Sequence, residues 1–317
     1  MHVKCLRISV TDRCNLRCVY CRPLHDCAFI EDKEILTFEE IHRIVRLFAD
    51  CGIDRVRLTG GEPLLRKNIT LLVAKLAAIK GIRELTLTTN GVLLLQMADE
   101  LKAAGLDRVN VSIDSLEADS YRQITGYDFM SRVVLGIEKA IDVGLQPVKI
   151  NAVILRGINH SQIVSLAKMS IDLPVTVRFI EYCPTSKDTQ PADDYMPYGE
   201  IRRIIERVLG PLSDAAIEGG SGPALYFKIK NSAGAVGFIA GRSTTFCETC
   251  NRIRLTSDGK IKLCLYSAQD YDIRQLIREG ASDEHVRSLL QKIIAQKHTF
   301  TKLNSSAKEF SMRKVGG

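Results

Sequence analysis

The feature that most constrains the fold is a regular alternation of short aliphatic runs with longer amphipathic stretches, from residue 5 to about residue 182. The stretches between the runs carry apolar residues every three or four positions, which is typical of helices. Connections of this length favour parallel strands. A closed barrel of eight units would need two more units than the alternation supplies. We therefore expect an α/β fold built on a partial (β/α)6 TIM-like barrel, with strands at 5–11, 55–60, 84–89, 108–114, 148–155 and 175–181.

The first amphipathic stretch shows how sharply the helix ends are encoded. Thr37 and Glu40 have the spacing of a capping box, in which each side chain bonds the other residue's backbone amide. Gly52 stands where a helix would stop. The sequence thus predicts a helix between these signals.

After residue 183 the pattern changes to a polar, proline-containing segment, a helix near 197–209 and strands near 225–230 and 235–240. A further β-rich run at 253–265 contains Asp258-Gly259, a hairpin signal. We expect two parts, a barrel core at 1–182 and a smaller α+β region at 183–317 that closes the open side of the barrel.

Composition excludes several classes of protein. No apolar run approaches the roughly 18 residues of a membrane span, and the amino terminus lacks signal-peptide features. We therefore expect a cytoplasmic protein whose 10 cysteines stay reduced and serve metal or redox chemistry. The net charge of +7 suits an anionic ligand, but it is too dispersed to indicate nucleic acid.

Three of the cysteines, Cys14, Cys18 and Cys21, follow the first strand with C-x3-C-x2-C spacing. Active sites of β/α barrels lie at this carboxyl end of the strands. Clustered thiolates select zinc or iron–sulfur clusters, and structural zinc prefers four protein ligands. A [4Fe–4S] cluster held by three cysteines would keep one iron open to an external ligand.

A second triplet, Cys247, Cys250 and Cys264, has C-x2-C-x13-C spacing. No cysteine or histidine stands where a zinc ribbon would place its fourth ligand. His285 and His298 lie farther along and remain candidate fourth ligands for zinc. The alternative is a second three-cysteine iron–sulfur cluster with an open iron.

The first triplet, with Tyr20 before its last cysteine, resembles the signature of the radical S-adenosylmethionine superfamily. The segment TGGEP at 59–63 matches the motif that binds the methionine amino group in that superfamily. The resemblance implies that the open iron is chelated by S-adenosylmethionine. One-electron reduction would then yield a 5′-deoxyadenosyl radical.

Within that superfamily, the whole chain resembles the GTP 3′,8-cyclase family, because the second triplet and the final Gly316-Gly317 match its pattern. The resemblance implies two [4Fe–4S] clusters, with S-adenosylmethionine as cofactor and GTP as substrate. The product would be (8S)-3′,8-cyclo-7,8-dihydroguanosine 5′-triphosphate, in the first step of molybdenum cofactor biosynthesis. The radical comes from the cofactor, so no protein acid or base is implied. The implied partners are a one-electron reductant, a downstream cyclic pyranopterin monophosphate synthase and a second copy of the chain.

The resemblance also assigns individual positions. Cys14, Cys18 and Cys21 would hold the first cluster, and Cys247, Cys250 and Cys264 the auxiliary cluster. The positions for S-adenosylmethionine are Tyr20, Gly61, Ser112 and Cys183. The family commonly has methionine where this chain has Cys183, so the adenine contact differs here. The positions for GTP are Arg7, Arg57, Thr88, Lys149, Arg252, Ile253 and Arg254.

Two other readings compete. One is a peptide-modifying radical enzyme with an auxiliary cluster, but such enzymes often have longer, more cysteine-rich carboxyl-terminal regions and lack the arginine set and the Gly-Gly end. A zinc-containing nucleic-acid-binding protein would need complete tetrahedral ligand sets and a concentrated basic face. The two incomplete triplets and an aromatic content of 6% argue against the second reading.

Overall fold

All six predicted β/α strands are present and parallel in the computed structural model, which describes residues 3–21, 28–183, 194–216, 222–243, 247–297, 300 and 312–316. They are β1 (Cys5–Ser9), β2 (Arg55–Thr59), β3 (Glu84–Thr89), β4 (Arg108–Ser112), β5 (Val148–Ile154) and β6 (Val175–Glu181). They lie side by side in chain order. The described helices between them are α1 (Phe38–Asp50), α2 (Ile69–Ala77), α3 (Leu94–Ala103), α4 (Ala118–Thr125), α5 (Met130–Asp142) and α6 (Ile163–Asp172).

The carboxyl-terminal third adds strands to both edges of this same sheet. Its strands are β7 (Ser213–Asp214), β8 (Leu225–Lys228), β9 (Ala235–Ile239), β10 (Arg252–Leu255), β11 (Lys260–Lys262) and β12 (Tyr271–Asp272). Strand β9 pairs in parallel with β6, and β10 pairs in parallel with β1. Antiparallel neighbours then continue each edge, ending at β7 and at β12. Within the described residues the result is an open twelve-stranded sheet, in accord with the predicted partial barrel.

The remaining helices are α7 (Tyr198–Leu209), α8 (Ile273–Arg278), α9 (Asp283–Lys297) and α10 (Met312–Val315). The predicted hairpin is confirmed, because Gly259 adopts a left-handed φ of 80° between the antiparallel strands β10 and β11. The division into two parts after residue 182 stays a prediction, since the sheet runs through both. No helix in the described ranges combines the length and apolarity needed to cross a membrane.

Alternation along the strands separates an apolar outer face from a polar inner face. Leu6 and Ile8 of β1 are fully buried in the core. Arg7, between them, points to the other face, because successive side chains of a strand project to opposite sides. Closed β/α barrels fill their interior with branched apolar residues. Here the inner face carries arginine, lysine, asparagine and threonine, so it forms a polar cavity in place of a packed core.

The capping box at the start of α1 allows a direct stability test. The amide of Glu40 donates to Oγ1 of Thr37 at 3.2 Å, and the amide of Thr37 donates to Oε2 of Glu40 at 2.7 Å. Replacing Thr37 by alanine leaves one helix-end donor unsatisfied, at a cost of about 1 kcal/mol. We expect Thr37→Ala to lower the melting temperature by roughly 2 °C. Thr37→Ser keeps the hydroxyl, so its melting temperature should equal that of the wild type. A wild-type melting temperature in Thr37→Ala would contradict a stabilising contribution from the cap.

Candidate active site

A cavity of about 410 Å³ lies on the inner face of the sheet, at the carboxyl ends of the barrel strands. Its wall brings together predicted residues from both ends of the chain: Arg7, Cys14, Cys18, Tyr20, Cys21, Arg57, Gly61, Thr88, Ser112, Lys149, Cys183, Cys247, Cys250, Arg252, Arg254 and Cys264. Ile253 is the exception. Its side chain is fully buried in the core, because it alternates with Arg252 and Arg254 along β10. Only its backbone can face a ligand.

The loop that carries the first cysteine triplet is pinned against the end of β2. The amide of Gly61 donates to the carbonyl of Thr11, and the amide of Glu62 donates to the carbonyl of Arg13, both at 2.7 Å. A Cβ at position 61 would lie 2.2 Å from the carbonyl oxygen of Arg13. Glycine is therefore required here by the close approach of two backbones.

Glu62 joins the same loop to the next strand. Its buried carboxylate accepts hydrogen bonds from the amide of Leu64 at 3.0 Å, the hydroxyl of Thr89 at 2.8 Å and the amide of Asn90 at 2.7 Å. Burial raises the pKa of Glu62 to about 7, although these three bonds favour the ionised form. Asn90 in turn donates to Sγ of Cys14 at 3.8 Å and to Oδ1 of Asn15 at 2.8 Å. The end of β3 thus supports the cysteine loop.

The three thiols fit an iron–sulfur cluster. Sγ of Cys14 accepts the amide of Leu16 at 3.4 Å, the kind of contact that stabilises a thiolate ligand. Burial, followed by the charges of Cys21 and Asp114, raises the pKa of Cys18 well above its usual value. The thiolate form of Cys18 is therefore disfavoured unless a cationic centre lies beside it. Among the described histidine, cysteine and carboxylate side chains, no three converge closely enough to ligate one metal ion.

Tyr20 is anchored by a buried carboxylate. Its hydroxyl donates to Oδ2 of Asp114 at 2.6 Å, and the amide of Val153 donates to Oδ1 of the same carboxylate at 2.7 Å. Burial raises the pKa of Asp114 to about 6. The tyrosine ring before Cys21 is thereby fixed between the cysteine loop and the ends of β4 and β5. Ser112, the last residue of β4, lies on the cavity wall beside it.

Cys183, which stands in place of the family's methionine, lies just beyond β6 on the same wall. A hydrogen bond with Tyr266 contributes to raising the pKa of that tyrosine, after the larger effect of burial. A Cβ on Gly241 would lie only 3.0 Å from Sγ of Cys183. Tyr266 and Gly241 are therefore neighbours of this thiol on the cavity wall.

The second cysteine triplet lies beside basic residues. The amide of Cys250 donates to the carbonyl of Cys247 at 3.1 Å, closing a tight turn. Burial raises the pKa of Cys250, but Arg252 and Lys297 outweigh it and lower that pKa to about 7. Of the two histidines considered as fourth zinc ligands, His285 is exposed on α9, and His298 lies outside the described residues.

The carboxyl-terminal tail enters the site at Gly316. Its carbonyl accepts a hydrogen bond from Nη1 of Arg254. Its φ is 76°, and a Cβ there would lie 1.9 Å from Oγ1 of Thr59. Only glycine therefore fits at position 316. Gly317 lies outside the described residues.

Two of the cysteines without an assigned role can be placed relative to the cavity. Cys5 lines it, and Cys27 lies outside the described residues.

Positive charge dominates the described wall. Seven basic residues line it, against the carboxylates of Asp114 and Glu181; the seven are Arg7, Arg57, Lys149, Arg178, Arg252, Arg254 and Lys297. Burial and the charges of Arg252, Arg254 and Arg57 lower the pKa of Arg7 well below its usual value. Burial, Arg108, Arg178 and Arg57 lower the pKa of Lys149 to about 7. A polyanionic ligand would relieve the repulsion between these basic side chains.

Sequence reasoning missed several wall residues, among them Arg178, Tyr226 and Lys297. Arg178 carried a usable signal, because an arginine inside the aliphatic strand VTVRFIE is unexpected unless its face is polar. Tyr226 and Lys297 carried none, since tyrosine is common in strands and lysine at helix ends. Their placement depends on how the carboxyl-terminal elements return to the sheet.

Comparisons with known proteins agree with this geometry. The sequence pattern of the radical SAM superfamily matches residues 8–169, and that of Molybdenum Cofactor Synthesis C matches residues 175–303. Over 293 residues the chain is 46% identical to the GTP 3′,8-cyclase of Pelotomaculum thermopropionicum, an alignment that covers 92% of this chain and 90% of the relative. It is 41% identical over 317 residues to the GTP 3′,8-cyclase of Geobacter sulfurreducens, covering 98% of this chain and 96% of the relative.

Solved structures support the fold. The crystal structure of Streptococcus suis SuiB bound to S-adenosylmethionine matches with a TM-score of 0.62 at 17% identity, covering 90% of this chain and 68% of SuiB. The structure of native anSMEcpe with bound AdoMet matches with a TM-score of 0.58 at 16% identity, covering 89% and 81% of the two chains. At these identities the likeness concerns the architecture alone.

The lowered pKa of Lys149 predicts pH-dependent anion binding. Its ammonium is charged below about pH 7 and neutral above, so wild-type affinity for inorganic triphosphate should fall as the pH rises through that value. Lys149→Met should bind roughly tenfold more weakly at pH 6, because it loses one buried charged contact. Its affinity should also show no fall as the pH rises through about 7. Calorimetric titration at a series of pH values measures these affinities. Lys168→Met, on the exposed face of α6, should behave like the wild type. A full pH step in Lys149→Met would assign the titration to another group.

Proposed function

The chain belongs to the GTP 3′,8-cyclase family of the radical SAM superfamily, and on that premise we propose that its cavity binds S-adenosylmethionine and GTP side by side. The reaction converts GTP to (8S)-3′,8-cyclo-7,8-dihydroguanosine 5′-triphosphate, the first step of molybdenum cofactor biosynthesis. The observation that carries this proposal is a single cavity lined by two cysteine triplets and seven basic side chains. Thiolates suit a redox cluster, and the basic set suits a triphosphate.

We propose that the triphosphate lies among Arg7, Arg57, Lys149, Arg252 and Arg254. Guanidinium groups match phosphate oxygens with paired donors, and lysine adds a compact charge. Arg7 and Arg254 already lie in register on the paired strands β1 and β10, as do Arg7 and Arg57 on β1 and β2. The strands thus present a row of donors before the ligand arrives. Thr88, on β3, adds a hydroxyl near the base or ribose.

We propose that Cys14, Cys18 and Cys21 hold the [4Fe–4S] cluster of the superfamily. When bound, this cluster and S-adenosylmethionine supply a carbon-centred radical able to take the hydrogen from C3′ of GTP. The chain's own residues would hold the cofactor: Gly61 through its backbone, Ser112 through its hydroxyl, Tyr20 beside the cluster loop and Cys183 against the adenine. The thiol of Cys183 is smaller than the methionine of relatives, and Tyr266 lies beside it on the cavity wall.

We further propose that Cys247, Cys250 and Cys264 hold an auxiliary [4Fe–4S] cluster next to the guanine of GTP. Arg252 follows Cys250 by two residues and lowers its pKa, so one side chain can neutralise a thiolate and face the substrate. Gly316, whose carbonyl accepts a hydrogen bond from Arg254, would help to enclose this side of the substrate. We also propose a one-electron protein reductant, delivery of the product to a cyclic pyranopterin monophosphate synthase, and a cytoplasmic homodimer.

A product assay on anaerobically reconstituted protein tests the function as a whole. With GTP, S-adenosylmethionine and dithionite, we expect 5′-deoxyadenosine together with the cyclised dihydroguanosine triphosphate, both identified by mass spectrometry. Omitting GTP should stop formation of the cyclised product. Formation of 5′-deoxyadenosine with unchanged GTP would refute the substrate. A fully loaded protein that forms neither compound would refute the enzyme.

The auxiliary site has its own test in Cys264→Ser. Because the first triplet is untouched, this variant should keep about four irons per chain where the wild type holds about eight. It should form no cyclised product. Iron and sulfide analysis with electron paramagnetic resonance measures the cluster content. Cys51→Ser, at the end of α1 and away from the cavity, is the matched control and should keep both clusters. Undiminished iron in Cys264→Ser would show that the second triplet holds no cluster.

A further inference from the structure

Four residues lie in one row across the inner face of the sheet, on β5, β6, β9 and β8. Asn151 is opposite Arg178, Arg178 is opposite Gly237, and Gly237 is opposite Tyr226. Side chains that face each other across adjacent strands contact directly. This row therefore connects Tyr226, at the edge of the sheet, to the basic residues at its centre.

Gly237 has no side chain, and this leaves room for Tyr226 to approach Arg178. A Cβ at this position would lie 2.9 Å from Cδ1 and 3.0 Å from Cε1 of Tyr226, and 3.4 Å from Cγ of Arg178. The tyrosine ring therefore lies over the bare backbone of β9 and reaches Arg178 from the next strand but one. An aromatic ring that covers a cross-strand glycine is a recognised device for fixing a ring on a sheet.

The ring contacts two of the buried cations. Nζ of Lys149 lies 5.7 Å from the centroid of the Tyr226 ring, within the range of a cation–π interaction. Tyr226 also acts on Arg178, where it opposes the lowering of the arginine's pKa by burial. Arg178 donates through Nη2 to Oδ1 of Asn110 at 3.1 Å, while its Nε is buried without a partner among the described residues. Tyr226 thus acts on both Lys149 and Arg178.

We propose that Tyr226 is a positioning residue of the substrate site, whose ring holds the cation of Lys149 beside Arg178 and directs it at the triphosphate. This inference rests on the proposed binding of GTP in the same cavity. The groups that act on Lys149 from the surrounding strands are Arg57 on β2, Glu84 on β3, Arg108 on β4 and Arg178 on β6. All but Glu84 repel its charge, whereas the negative face of the ring attracts it. The ring therefore helps to keep Lys149 protonated near neutral pH.

The test compares Tyr226→Leu with Tyr226→Phe, which keeps the ring and loses only the hydroxyl. GTP affinity of the reconstituted holoenzymes is measured by anaerobic equilibrium dialysis from pH 6 to pH 8.5. We expect the midpoint of the pH profile to fall by about half a unit to one unit in Tyr226→Leu. GTP binding should then be roughly three- to tenfold weaker than wild type at pH 8, and within roughly threefold at pH 6. Tyr226→Phe should keep the wild-type midpoint.

A loss of affinity that is equal at every pH would overturn the proposal, because it would mark Tyr226 as a wall residue without influence on Lys149. So would a Tyr226→Phe midpoint as low as that of Tyr226→Leu. Gly237→Ala gives independent evidence, since its methyl group would push the ring away; we expect the same lowered midpoint as in Tyr226→Leu. Equal melting temperatures and iron contents verify that the variants fold.

A second readout separates this proposal from the proposed function. The rate at which cyanate carbamylates Lys149, followed by mass spectrometry against pH, reports the ammonium without GTP. If the wild type fails to bind GTP, the proposed function fails while this measurement still decides the role of Tyr226. A carbamylation midpoint lowered in Tyr226→Leu and unchanged in Tyr226→Phe supports that role. Identical midpoints in all three proteins would refute it.

Discussion

The structure depends on one electrostatic constraint: several cations are held close together on the buried inner face of a sheet. Lys149 is 1% exposed, Arg178 6% and Arg254 8%. Burial and mutual repulsion lower the pKa of each of them. The described part of the cavity wall offers only two carboxylates, and Glu181 already accepts the amides of Tyr198, Arg242 and Ser243. The unbalanced charge is stable only because a rigid scaffold fixes it, and it is the source of affinity for a polyanion.

The open sheet explains how these cations can coexist. A closed barrel would place inward side chains in tightly packed layers, which cannot accommodate several charged groups. Here the sheet stays open, and the carboxyl-terminal strands are added to each of its two edges. Strand β10 brings Arg252 and Arg254 beside Arg7 at one edge. Strands β9 and β8 bring Gly237 and Tyr226 beside Arg178 at the other. The carboxyl-terminal third therefore completes the site from both sides while extending a single sheet.

The barrel strands, the capping box of α1 and the hairpin at Gly259 were predictable from local sequence, because each depends on neighbours in the chain. The cysteines and most of the basic residues were predictable as well, since their types and spacing match a family pattern. Tyr226 was not, because its role depends on a glycine in the adjacent strand that no local pattern relates to it. Ile253 shows the converse: the motif placed it in the site, but strand alternation turns its side chain into the core. The positions of both side chains are set by pairing between strands that are distant in the sequence.

The same positive field acts on two kinds of anion. Arg252 and Lys297 lower the pKa of Cys250, and Arg252 also lowers the pKa of Arg7 on the adjacent strand. A thiolate at position 250 therefore relieves part of the repulsion that a triphosphate would otherwise relieve alone. Because a thiolate at position 250 and a bound triphosphate would neutralise the same arginine, each would weaken the attraction that holds the other. If the proposed auxiliary cluster binds at the second triplet, it would be linked to the proposed triphosphate site through these shared arginines, without direct contact between the two ligands.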